Sequence, residues 1–152
     1  MTTDDCHTSL SMTLNWHHGL GALAPFFAAL AQGRILASRC RECGHTTVPP
    51  RRRCQTDGLA MAVIDLPPTG IVRGLTMGAA SRLLGLGAQD QLFAEVQVQG
   101  SDDRLLARID PTGGAVAVGT RVRLAASGLA PVHPIQNLVF VADDPEPPEN
   151  QP

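Results

Sequence analysis

The sequence predicts a mainly β chain in three parts: a short N-terminal helix, a zinc ribbon, and an OB-like β-barrel. Three observations carry this. Residues 40–57 hold three of the four cysteines at the spacing of metal-binding knuckles. Beyond Gly58, short alternating apolar segments are separated by turns rich in Gly, Pro and Asp. Ahead of the cysteines, one apolar run is bracketed by Pro25 and Gly33, the residues that open and close helices. The predicted boundaries are an arm over 1–23, a helix over 24–33, a ribbon over 34–58, a barrel over 59–142 and an acidic tail over 143–152.

Residues 1–18 are polar and mixed, and read as a loose arm holding Cys6, His7, His17 and His18. The pair His17-His18 reads as solvated histidines, not as ligands. Trp16, the only tryptophan, is placed with Leu14 to dock on the domain or on a partner.

The predicted helix carries Leu23, Phe26, Phe27 and Leu30 with few polar residues opposing them. A helix this short is not stable alone in water and must pack on something. Two readings stay open. Phe26, Phe27 and Leu30 either cover the chain's own ribbon and barrel, or they dock another protein.

Residues 34–38 read as a strand leading into the first knuckle, and 46–48 as its antiparallel return, ended by Pro49-Pro50. Cys40 and Cys43 form a C-x2-C pair closed by Gly44, a tight turn whose N–H groups point at sulfur. Cys54 stands eleven residues beyond Cys43. A second knuckle would need Cys at position 57, where this chain has Asp57. Carboxylate oxygen is an accepted zinc ligand, so the expected site is Zn2+ held by Cys40, Cys43, Cys54 and Asp57. His45 competes for the fourth place, but reaching it would strain the turn. Cys6 would need the arm to fold back. The alternative is a degenerate ribbon that keeps three thiols as small buried hydrophobes. So small a ribbon buries too little apolar area to fold by itself. Structural zinc supplies ~10–16 kcal/mol in comparable sites.

Arg51, Arg52 and Arg53 are a local cationic run, read either as a solvated loop or as a phosphate contact. Then the barrel strands follow: 61–66, 71–77, 92–98, 105–109, 122–126 and 137–142. Residues 78–91 form a Gly-, Ala- and Leu-rich connection with a helical turn at 81–84. Residues 100–103 form a hairpin turn. His133 reads as a loop histidine. The tail from Asp143 is acidic and Pro-rich and is expected to be disordered.

Composition excludes several functions. Net charge is −2, without the basic excess of a nucleic-acid binder. All twelve basic residues are Arg, so Schiff-base chemistry and a P-loop lysine are both absent. Tyr is missing and only five residues are aromatic, so stacking platforms for single strands are scarce. No G-x-S-x-G or H-E-x-x-H occurs. No run reaches membrane-span length, and the polar, acidic start is unlike a secretory signal. With cysteines at metal spacing, this predicts a cytoplasmic protein.

The order of parts resembles the DUF35 family, a rubredoxin-like zinc ribbon joined to an OB fold. The stretches that carry the resemblance are Gly33-Arg34-Ile35-Leu36-Ala37-Ser38-Arg39-Cys40-Arg41-Glu42-Cys43-Gly44 and Pro49-Pro50-Arg51-Arg52-Arg53-Cys54. GIVRGLT from Gly70 and Gly119-Thr120-Arg121-Val122 are similar to the family's strand motifs. The resemblance covers residues 24–142, and the family's fourth ribbon cysteine is Asp57 here. It implies a non-catalytic companion of a thiolase-like enzyme in a hetero-oligomer acting on acyl-CoA, with the catalytic residues on the partner. Arg51, Arg52 and Arg53 would then face the phosphates of CoA. Two other readings compete: a single-stranded nucleic-acid-binding OB module, and rubredoxin-like electron transfer, which wants four thiolates.

Overall fold

The structure, a computed structural model, describes residues 11–13, 17–78, 90–125 and 134–143. Trp16, Cys6, His7, His133, the turn expected at 81–84 and the tail from 144 lie outside these residues.

After a 3-10 turn at Gly21–Leu23, helix α1 runs over Ala24–Ala31. Pro25 sits in its first turn, where a missing N–H costs nothing. Its end is a Schellman closure: Gly33 N–H donates to Leu30 O at 3.0 Å and Arg34 N–H to Ala29 O at 2.9 Å. That closure needs a left-handed residue, and Gly33 has φ +71°.

The chain then enters β1, Ile35–Cys40, which pairs antiparallel with β2, Thr46–Thr47, and along its whole length with β3, Met61–Leu66. This three-stranded sheet has the order β2-β1-β3. The sequence reading began the barrel at residue 59 and ended the first strand at Ser38. The structure instead gives β3 to the ribbon and extends β1 to Cys40. Alternation shows that 61–66 is a strand but not which strand it pairs with. Pro67-Pro68 then separates it from the barrel.

The barrel is a closed ring of β4, Thr69–Gly78, β5, Gln91–Val98, β6, Leu105–Ile109, β8, Val139–Ala142, and β7, Arg121–Leu124. All neighbours are antiparallel except β6 and β8. Five strands in this order, with the third and fifth parallel, make an OB-like barrel. Val72, Ala94, Val96, Val98, Ala107, Ile109, Val122 and Phe140 fill its interior. A bulge between Val72 and Gly74 bends β4 around the ring. At Gly70 two strands meet so closely that a Cβ would stand 2.7 Å from Gln97 O. β8 is buried on both faces, which is why it reads as an unbroken apolar run. The 3-10 turn Pro111–Gly113 covers its outer side, bringing Gly113 against Val141.

Helix α1 packs on β1 and on the 3-10 turn Pro134–Asn137. Phe26, Phe27 and Leu30 are buried in one cluster with Ile35, Val48 and the barrel interior. The expectation that these three could dock a partner is therefore corrected, and the covering alternative holds. A helix with apolar residues on so much of its surface finds enough buried area at the ribbon–barrel junction. Among the described residues no helix is long and apolar enough to cross a membrane.

Candidate metal centre

Two turns of equal design face each other at one end of the ribbon. In the first, Cys40 N–H donates to His45 O at 2.9 Å and Gly44 N–H to Cys40 O at 3.1 Å. In the second, Cys54 N–H donates to Leu59 O at 2.8 Å and Gly58 N–H to Cys54 O at 3.0 Å. Gly44 and Gly58 both take left-handed φ, +75° and +69°. Even the strand pairing repeats: Arg39 opposes Thr46 as Arg53 opposes Ala60. Each residue of the second turn stands fourteen positions after its counterpart in the first. By this correspondence Asp57 occupies the place of a fourth cysteine, because it stands to Cys54 as Cys43 stands to Cys40.

The donor atoms of Cys40, Cys43, Cys54 and Asp57 all lie within 4.8 Å of one another. They fall into two pairs. Cys40 Sγ is 2.9 Å from Asp57 Oδ2, and Cys43 Sγ is 3.6 Å from Cys54 Sγ. Cys40 and Cys54 are buried, while Cys43 and Asp57 are exposed. The set fits a divalent ion of borderline softness. Three sulfurs and one oxygen close a tetrahedron, and zinc accepts both donor types. Four protein donors leave no position for a water, which is the arrangement of a structural site.

The charges are crowded. Asp57 is held below its ordinary carboxylate value, first by the Cys40 thiol and then by that of Cys43. Cys54 is lowered chiefly by the N–H of Asp57. For Cys43 the His45 N–H is the largest influence and lowers it. Desolvation and the neighbouring Asp57, Cys54 and Cys40 outweigh that, and its pKa is pushed up to about 12. A proton therefore stays on Cys43 unless a cation displaces it.

His45 is outside the donor cluster. Its ring faces the barrel, with Nδ1 3.6 Å from Asp102 Oδ2 and Nε2 3.5 Å from Asp103 Oδ1. These two aspartates also tie the ribbon to the β5–β6 hairpin. Asp102 N–H donates to Thr46 O at 2.9 Å, and Thr46 N–H returns a bond to Asp102 Oδ2 at 2.8 Å. Thr47 Oγ1 donates to the Asp103 carboxylate. The sequence reading took 100–103 as a turn only. Its two adjacent acids were the available signal for this joint.

Arg51, Arg52 and Arg53 are exposed and stand together. Arg53 donates to Gly58 O at 2.9 Å and so braces the second knuckle. All three line a groove of about 670 Å³ whose remaining described lining is apolar or Gly, including Pro25, Leu36, Met61 and Val63.

Residues 27–58 match the family model described as the ChsH2 rubredoxin-like zinc ribbon domain. No curated protein matches the chain. Among solved structures, a DUF35-family protein of Sulfolobus solfataricus is 21% identical with a TM-score of 0.57, over 78% of this chain and 83% of that one. A chain of the Ltp2–ChsH2 (DUF35) aldolase is 22% identical with a TM-score of 0.57, over 79% of this chain and 93% of that one. The family model and the shared fold bear out the DUF35 resemblance and the zinc ribbon read from the cysteines.

Proposed function

We propose that this chain is a zinc-ribbon and OB-fold subunit that works beside a thiolase-like enzyme on acyl-CoA, and that the reacting groups belong to the partner. The observation that carries this reading is the match of the ribbon to the ChsH2 zinc-ribbon model, together with the likeness of the fold to a chain of the Ltp2–ChsH2 (DUF35) aldolase. The donor set supports it, since a closed metal site stiffens a scaffold and offers no place for a reacting water. In this reading zinc is held by Cys40, Cys43, Cys54 and Asp57. Arg51, Arg52 and Arg53 meet the phosphates of CoA, for which the guanidinium fork is suited. The apolar floor of their groove takes the less polar part of the same molecule.

Co-expression with a thiolase-like chain from the same genome, followed by size-exclusion chromatography, tests the assembly. A stable complex with higher acyl-CoA turnover than the partner alone is expected. Separate elution with unchanged turnover would refute it. Titration calorimetry of the complex with CoA and with a variant carrying Arg51→Ala and Arg52→Ala tests the phosphate contact. Equal affinity in both would remove the arginines from the site.

A further inference from the structure

We propose that Cys43 and Cys54 are a modification site: a hydroperoxide joins them as a disulfide and the ribbon then lets go of its metal. This rests on the zinc reading of the donor cluster and is independent of the proposed partner.

The pairing of the four donors is the reason. A ribbon with four thiols offers several sulfur pairs for oxidation. Here Asp57 takes the fourth place and lies against Cys40, 2.9 Å away, so that pair cannot form a disulfide. Cys43 and Cys54 are left in contact at 3.6 Å. Cys43 is also exposed, whereas Cys40 and Cys54 are buried at 1% and 3%. A hydroperoxide arriving from solvent therefore meets one sulfur first, and among the described residues the thiol in hydrogen-bond contact with that sulfur is Cys54, while Cys40, within 4.8 Å, is held by Asp57. A thiol bound to metal is deprotonated, so the nucleophile is present in the loaded ribbon.

The steps balance. Cys43 sulfur attacks the O–O bond of hydrogen peroxide, takes one oxygen as the sulfenic acid and releases hydroxide. Cys54 thiolate then attacks the Cys43 sulfur, forms the S–S bond and releases the second hydroxide. Two protons turn these into two waters. The two sulfurs lose two electrons and the peroxide gains them. Cys40 and Asp57 remain, and two donors are too few for a structural zinc site.

The test uses the full chain with Cys6→Ser, loaded with one equivalent of Zn2+. Failure to take up zinc would sink the site reading and this proposal with it. Zinc that binds but behaves otherwise on oxidation would sink this proposal alone. Hydrogen peroxide is added and zinc release is followed with a chromogenic chelator. Trypsin then cuts after Arg39, Arg41, Arg51 and Arg53, which places Cys40, Cys43 and Cys54 on separate peptides. The expected result is one zinc released per disulfide, with the Cys43 and Cys54 peptides linked and Cys40 free. A reductant with fresh Zn2+ should restore the starting state. A link through Cys40, zinc loss without a disulfide, or no reaction would overturn the proposal.

Discussion

Asp57 shows how much a single position reveals when the local geometry is rigid. A knuckle has a fixed length, so the fourth ligand's place could be counted from Cys54, and the structure puts the Asp57 carboxylate among the sulfurs. Replacing Asp57 by Ala should lower zinc affinity by roughly tenfold to a hundredfold or more, judged by what even outer-shell losses cost. Asp57→Cys should hold zinc at least as tightly and accept iron with visible thiolate absorption bands. Competition against a chelator measures both. The sign of the pH effect follows from Cys43. Its pKa is pushed up to about 12, so near neutral pH the metal-free thiol is protonated and binding must displace that proton. Zinc affinity should therefore rise with pH and fall on acidification, with proton release measurable by calorimetry in buffers of different ionisation enthalpy. The partners of His45 were not legible in the same way. Asp102 and Asp103 are far from it in sequence, and only the folded hairpin brings them to the ring.

At the scale of elements, strands were easier to find than to pair. The segments 61–66 and 105–109 were read at their observed bounds, because alternation and flanking turns are local signals. The assignment of β3 to the barrel failed because pairing is decided by surfaces distant in the chain. The helix gave two readings for a similar reason, since an apolar surface does not say what covers it. Its burial now makes a quantitative expectation. Leu30 is 1% exposed and packs between ribbon and barrel, so Leu30→Ala should cost about 2–5 kcal/mol in denaturant unfolding. The joint made by Thr46, Thr47, Asp102 and Asp103 leads to a different result. Replacing both aspartates by Ala should leave zinc content unchanged and lower the thermal midpoint. It should also raise amide exchange at Thr46 and at position 102, whose N–H groups bridge the two parts in the unaltered chain.

Across the whole molecule, one apolar cluster runs from Phe26 through Ile35 and Val48 to Phe140. The barrel order could not be read from the sequence, because the ring is closed by a parallel contact between β6 and β8 with β7 intervening in the chain. The metal serves mainly the two knuckles, while the ring of strands has its own interior. Treatment with a strong chelator should therefore raise hydrogen exchange across residues 40–60 first, with β4, β5 and β6 still protected. Hydrogen–deuterium exchange followed by mass spectrometry reads this directly. Uniform loss of protection would show instead that the shared cluster couples both parts into one unit.

The place of β8 in the ring has a consequence for synthesis on the ribosome. The strands of the ribbon are complete once Leu66 has emerged, so that part can form early and bind its ion. The last wall of the barrel, residues 139–142, lies between two strands made before it. Until it arrives, β6 and β7 each present a bare edge, the kind of surface to which other chains add. The nascent protein thus passes through an interval with its head finished and its body gaping, until residues 139–142 emerge and close the seam.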